Sequence, residues 1–183
     1  MNKKDIRKKM LDIRNKINEN LRKQKNEKIS ETFIDFVLKN KFKSVLLYAS
    51  FGSEVDTWQI FHLCLENSIK TAFPKVSGFQ LQLYWIEKRD QFSQGYKNIL
   101  EPKNGKKASV EDIEIIVVPG VAFDKRCYRI GYGGGFYDRL LSLRKGKAIG
   151  LAYEEQILEQ IPTESHDIRM DMIITDERII SCV

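Results

Sequence analysis

IEIIVVPGVAFDKRCYRIGYGGGFYDRLLSLR, residues 113–144, holds a β-branched run, Ile115 to Val118, that stops at Pro119-Gly120. After a short connection, residues 131–135 carry four glycines in five positions, and the chain from Phe136 to about Leu143 reads as a helix. The order is strand, flexible loop, helix start. Glycines permit positive φ and close backbone approach, and a helix start presents unpaired N–H groups with partial positive charge, so the loop is a candidate phosphate cradle. A tight turn without a ligand is the alternative reading. The spelling excludes both common nucleotide motifs: no G-x-x-x-x-G-K-[ST] occurs, and G-x-G-x-x-G begun at Gly131 meets Phe136 where its last glycine belongs.

Working outward, Ser44–Ser50 and Thr71–Val76 read as buried strands, Leu81–Ile86 as a third strand running antiparallel, and Lys147–Ala152 as a further short strand. Met172–Thr175 and Arg178–Ser181 suggest a final strand pair. Trp58 to about Asn67 is a helix that Asp56 or Thr57 can cap, and Glu154–Leu158 forms a helical turn. Glu87 to Val110 is a long polar connection, or flap. Ile6, Met10, Ile13 and Ile17 make one narrow apolar stripe on a helix from Lys3 to about Leu21, and Ile29, Phe33, Ile34 and Val37 face inward on a second, from Arg22 to Lys39. Both helices are expected to pack on one flank of the sheet. This alternation predicts an α/β fold: one domain over residues 1–183, an open, mostly parallel sheet flanked by helices in a Rossmann-like three-layer architecture.

At 183 residues and 42% hydrophobic, the chain supports one substantial core. Its net charge of +6 favours anionic ligands. No zinc-finger spacing, RNP pattern or arginine-rich arm accompanies the basic residues, so a small anion is the expected partner and nucleic acid is not. Cys64, Cys127 and Cys182 are far apart with no C-x-x-C, which suggests neither a disulfide framework nor a zinc site. No segment approaches the roughly eighteen apolar residues of a membrane span, and the expected location is cytoplasmic.

Lys3, Arg7 and Arg14 fall within about 40° of one another on the helical wheel, on a row about 70° from the centre of the apolar stripe. They line the rim of the buried face, where they are either a solvated flank or a set of phosphate contacts. Glu54 lies just past the end of a strand, the edge where open α/β sheets place ligands, although an exposed loop glutamate is also commonly just solvated. Asp138 follows the glycine loop, either as a Mg²⁺ ligand beside a bound phosphate or as a first-turn acid complementing the helix dipole. Asp167 is a weaker metal candidate, since only folding can bring it to the loop. With two histidines, His62 and His166, no Ser-His-Asp or Cys-His arrangement has support, and no protein nucleophile is expected.

Four motifs in order resemble the 5-formyltetrahydrofolate cyclo-ligase (5,10-methenyltetrahydrofolate synthetase) family. They are Lys3-x-x-x-Arg7, Glu54-Val55-Asp56-Thr57, the run PGVAFD followed by Arg129 through Arg139, and His166 to Asp171. One position departs: Cys127 stands where the family usually has the glycine of its FD-x-x-G turn. The resemblance implies ATP contacts from Lys3, Lys4, Arg7 and residues Arg129, Ile130, Gly131, Tyr132, Gly133, Gly134, Gly135, Phe136 and Tyr137. It implies folate contacts from Ala49, Glu54, Tyr132, Gly133, Gly134, Gly135 and Phe136, and a Mg²⁺ site at Asp138 and Asp167. The implied reaction is ATP- and Mg²⁺-dependent cyclisation of 5-formyltetrahydrofolate, with or without a polyglutamate tail, to 5,10-methenyltetrahydrofolate with release of ADP and phosphate. The readings from other classes are a non-catalytic nucleotide- or RNA-binding protein using the basic N-terminal helix, and a sugar-phosphate enzyme that needs no ATP.

Overall fold

The structure, a computed structural model, describes residues 1–182. The chain begins with helices α1 (Lys3–Asn15) and α2 (Glu19–Lys39), then strand β1 (Ser44–Leu46), helix α3 (Thr57–Glu66) and strands β2 (Lys70–Ser77) and β3 (Gln80–Ile86). The short strands β4 (Phe92–Gln94), β5 (Leu100–Pro102) and β6 (Lys106–Ala108) follow, then β7 (Ile115–Val118), β8 (Ala122–Asp124) and β9 (Arg129–Ile130). Helix α4 (Phe136–Leu141) leads into β10 (Lys147–Leu151), β11 (Ile157–Leu158), β12 (Met172–Ile174) and β13 (Ile179–Ser181). Among the described residues no helix is long and apolar enough to cross a membrane.

Eight strands form the main sheet in the order β13-β12-β10-β7-β1-β2-β3-β6. The five from β12 to β2 pair in parallel, whereas β13, β3 and β6 join antiparallel. The sheet is therefore mixed, which corrects the expectation of a mostly parallel one. Counted in chain order, the parallel strands run 2-1-3-4-5, the flavodoxin-like sequence and not the Rossmann 3-2-1-4-5-6, so the Rossmann-like label has no support. The order reverses between β1 and β7, and their carboxyl ends open a crevice there.

Both faces of the parallel strands are covered, and their side chains alternate between two cores. Val45, Ile115, Val117 and Ile149 meet Ile29 and Phe33 of α2 and Ile60 and Phe61 of α3 on one face. Leu46, Ile116, Val118 and Ala148 meet Phe123, Leu140, Leu141 and Met170 on the other. Strands buried on both sides read as unbroken apolar runs, which is why 115–118 was so legible. The second face is covered by the short α4, by Phe123 of β8 and by irregular chain.

Helix α1 is not where its amphipathic pattern was expected to place it. Its Ile6 and Met10 pack on Ala122 and Ile130 of a separate three-stranded sheet, β11-β8-β9, and on Val121 and Ile161 beside it, while α2 alone joins α3 on the flank of the main sheet. The break between α1 and α2 comes earlier than the predicted one near Leu21, because the Asn18 side chain caps α2 by accepting from the backbone N–H of Asn20 at 2.9 Å. For α3 the cap is Asp56, which accepts from Trp58 N–H at 2.9 Å, and Thr57 instead donates to the Tyr48 carbonyl. The expected helical turn at 154–158 is a single turn that passes into β11.

The connection from β7 to the glycine loop is the β8–β9 hairpin, organised by the fully buried Asp124. Its Oδ1 accepts from Arg126 N–H at 3.0 Å and Tyr128 N–H at 3.1 Å, and its Oδ2 from Ile161 N–H at 3.0 Å. Cys127 has φ +65°, a left-handed backbone that costs a residue with a Cβ about 1–2 kcal/mol. That conformation gives the family glycine its physical reason. Cys127 is bonded to Cys182 across 55 residues, which corrects the expectation of no disulfide, and Cys64 remains a buried free thiol. Spacing gave no hint of the pair, since it depends on β13 returning to the sheet edge beside the hairpin.

Candidate functional site

At the crevice between β1 and β7 lies a cleft of about 560 Å³, the size of small-molecule sites. Its walls are α1, the chain after β1, part of β2 and β3 at Pro74, Val76 and Leu81, the glycine loop, the turn around Asp167, and a flap made by the β4–β5 hairpin. The flap falls inside the expected 87–110 connection. Polar composition marked that stretch as irregular, and only folding shows which of its residues reach the cleft.

The structure brings Lys3, Arg7, Ala49, Glu54, every residue from Arg129 to Asp138, and Asp167 to this one cleft. Lys4 is exposed on α1 and outside the lining. Tyr48, Tyr96, Lys97, Glu101 and His166 also line the cleft without having been assigned a role there. Arg14 was visible in sequence on the same helical row as Lys3 and Arg7, yet its partners were not.

The row on α1 faces inward. Lys3 Nζ donates to Asp167 Oδ2 at 2.6 Å, and Arg7 Nε to the Gly131 carbonyl at 2.7 Å. Arg14, 4% exposed, donates from Nε to Ser53 Oγ at 2.9 Å and from Nη2 to Tyr132 Oη at 3.0 Å. A helical spacing of about four and seven residues thus sends three cations to three different segments. The solvated-flank reading does not hold for this row.

Within the glycine loop, Gly133 at φ +102° and Gly135 at φ +69° adopt conformations that L side chains rarely take, and Gly135 leads directly into α4. Arg139 Nη2 donates back to the Gly134 carbonyl at 3.0 Å, steadying the loop from the helix side. Tyr132 lies 6.3 Å from Phe51 and Tyr96 lies 6.3 Å from Phe136, ring centre to ring centre. These four rings line the cleft together, so a flat heterocycle would find aromatic faces beside it.

Glu54 is buried, and its Oε1 accepts from Phe51 N–H at 3.0 Å. Burial lifts its carboxyl to about 7, against the opposing pull of that N–H, the Arg14 guanidinium and the Tyr132 hydroxyl. At Asp167 burial also pushes upward, but the Lys3 ammonium and Glu164 N–H outweigh it and hold the group below its ordinary value. Arg129 is pulled down by burial and held up by Asp138, whose Oδ1 is 3.6 Å from Nη2.

Among the described residues no three His, Cys, Asp or Glu side chains are grouped to hold a metal. Two carboxylates beside an anion site suit Mg²⁺, which keeps several waters and takes its other ligands from substrate phosphates. Asp138 and Asp167 have that character. Lys3 neutralises Asp167 here, and a cation at that carboxylate would free the ammonium for a phosphate.

The sequence profile of the 5-formyltetrahydrofolate cyclo-ligase family matches residues 1–176. A 5-formyltetrahydrofolate cyclo-ligase of Mycoplasma genitalium is 30% identical over 178 residues, covering 95% of this chain and 98% of that one. The NMR structure of the Aquifex aeolicus 5,10-methenyltetrahydrofolate synthetase matches with a TM-score of 0.90 at 35% identity, covering 100% of this chain and 93% of that one. The 5,10-methenyltetrahydrofolate synthetase of Mycoplasma pneumoniae matches at 0.78 and 26% identity, over 96% and 99%. With its profile match, its relatives and its fold in agreement, the chain belongs to the 5-formyltetrahydrofolate cyclo-ligase family.

Proposed function

We propose that this protein cyclises 5-formyltetrahydrofolate to 5,10-methenyltetrahydrofolate, using ATP and Mg²⁺ and releasing ADP and phosphate. The observation that carries the reading is the convergence of Lys3 and Arg7, Glu54, the glycine loop and Asp167, far apart in sequence, on one cleft. In the reaction the formyl oxygen attacks the γ-phosphoryl group to give an imidate-like phosphate. N10 of the folate then attacks the activated carbon, loses its proton, and phosphate departs. No protein nucleophile is required.

The chain's part is to position the two substrates and neutralise charge. Lys3 and Arg7 would meet the nucleotide phosphates above the glycine loop, and Arg129 would add positive potential from below. Asp138 and Asp167 would hold Mg²⁺, which when bound supplies positive charge to the transferring phosphoryl group. Glu54 would accept from N–H donors of the pterin, with the rings of Phe51, Tyr132, Phe136 and Tyr96 as its apolar walls. Ala49, next to Tyr48 at the end of the first strand's segment, lines the same part of the cleft.

Incubation with 5-formyltetrahydrofolate, ATP and Mg²⁺ tests this directly. The near-ultraviolet band of the methenyl product should grow only when all three are present, with one phosphate released per turnover. No band at any concentration sinks the reading. Steep loss of ligand binding with salt would instead favour the RNA-binding alternative, which the inward-facing α1 cations already weaken. Lys3→Ala and Arg7→Ala should each raise KM for ATP roughly tenfold, the low end for a charge-assisted hydrogen bond, with less effect on KM for folate. Steady-state kinetics with each substrate varied in turn checks this, and equal effects on both would return the two residues to a purely structural role.

A further inference from the structure

Arg14 has no role in the proposed reaction, yet it is the most completely buried cation on α1 and bonds two separate segments of the site. Ser53, which it reaches through Nε, immediately precedes Glu54. Tyr132, which it reaches through Nη2, belongs to the glycine loop, 118 residues from Arg14 in sequence. Ser53 is held in turn from α1, since its hydroxyl donates to Asn15 Oδ1. One rigid, planar group with donors on separate edges thus joins the 51–54 loop, assigned to folate, with the glycine loop, assigned to both substrates.

We infer that Arg14 is a positioning residue that couples the two substrate sites, so that filling either one orders the other. This rests on the cyclo-ligase reading of the cleft. The physical ground is that a buried guanidinium pays heavily for any bond left unmade. A ligand that fixes the 51–54 loop therefore fixes Arg14, and Arg14 fixes Tyr132. Hydrogen-bonded networks of this kind carry coupling between neighbouring sites, and the coupling must be equal in both directions. Phe51 and Tyr132 also touch through their rings, which offers a second route between the loops. Tyr132→Phe keeps the ring and removes the hydroxyl that meets both Arg14 and Glu54, whereas Ser53→Ala leaves Tyr132 intact and so isolates the route through Arg14.

The test is calorimetric titration of a non-hydrolysable ATP analogue with Mg²⁺, in the absence and presence of saturating 5-formyltetrahydrofolate. The wild type should bind the analogue about fivefold or more tightly with folate present, within the usual range of coupling. In Arg14→Met, Ser53→Ala and Tyr132→Phe that ratio should fall close to one. A wild-type ratio of one overturns the inference, as does an unchanged ratio in Ser53→Ala and Tyr132→Phe. If Arg14→Met weakens both ligands in parallel while keeping the ratio, Arg14 is structural and the inference is again wrong. Should Arg14→Met fail to fold, the two milder variants decide the matter. A wild type that binds neither ligand is a different failure, since it removes the cyclo-ligase reading itself.

Discussion

Asp138→Asn is expected to keep the fold and lose about 10²- to 10³-fold in turnover, the range for removing one preorganised charge-stabilising group from an active site. Asparagine preserves the size of the side chain and an acceptor for Ile168 N–H, now 3.4 Å from Oδ1, while deleting the charge. The charge has two possible clients. One is a Mg²⁺ ion at the cleft, and the other is the buried Arg129, which loses its principal counter-charge in the variant. A thermal melt and a Mg²⁺ titration separate them. A metal ligand predicts a small shift in Tm and a much higher Mg²⁺ requirement, whereas a counter-ion predicts a lower Tm and an unchanged Mg²⁺ requirement. Normal turnover across the titration removes Asp138 from the metal site.

Glu54→Gln should weaken 5-formyltetrahydrofolate about ten- to more than a hundredfold, the value of one charge-assisted hydrogen bond of 1.5–3 kcal/mol. ATP binding measured without folate should be nearly untouched, because the phosphates meet other groups. A pH dependence accompanies the affinity. The carboxyl titrates at about 7 in the folded protein against an ordinary 4.5, so its contribution to stability is full below about 4.5 and is lost as pH rises through 7. Over the same interval the group acquires the charge that a pterin N–H favours. Wild-type KM for folate should therefore fall as pH rises through about 7 while the unliganded protein becomes less stable, and in Glu54→Gln both trends should flatten. Calorimetry showing ATP weakened as much as folate would place Glu54 outside the pterin site.

The parts of this molecule that were legible in its sequence are those where a local pattern has a local cause. The run Ile115–Val118 is apolar at every position because both faces of β7 are covered, and Glu54 was visible because a strand end precedes it. The antiparallel β3 showed its alternation. Strand β6 escaped notice because Lys106 and Lys107 sit on an open sheet edge, where lysines are a usual protection and apolar alternation is absent. Asn18 starts α2 early through a single side chain that an apolar count does not register. Asp167, the disulfide and the partners of Arg14 share another cause of silence, since each depends on chain closures spanning 39 to 164 residues. Sequence resemblance supplied Asp167 where periodicity had none to offer.

The inward row on α1 also bears on the order in which the protein is made. Lys3 and Arg7 find their partners 164 and 124 residues further along the chain, and Arg14, which meets Ser53 after 39, finds Tyr132 only after 118. The apolar stripe of the same helix packs on residues between Val121 and Ile161. On a ribosome adding roughly 5–20 residues per second, this first helix therefore spends most of the synthesis time with neither its stripe nor its cations matched. A thirteen-residue helix is marginal alone in water. The nascent chain can build the α2–α3 flank against β1 and β2 from neighbours already synthesised, while its earliest residues wait as a basic, partly helical arm that docks late. The binding cleft is thus completed late, by a segment translated well before most of its partners.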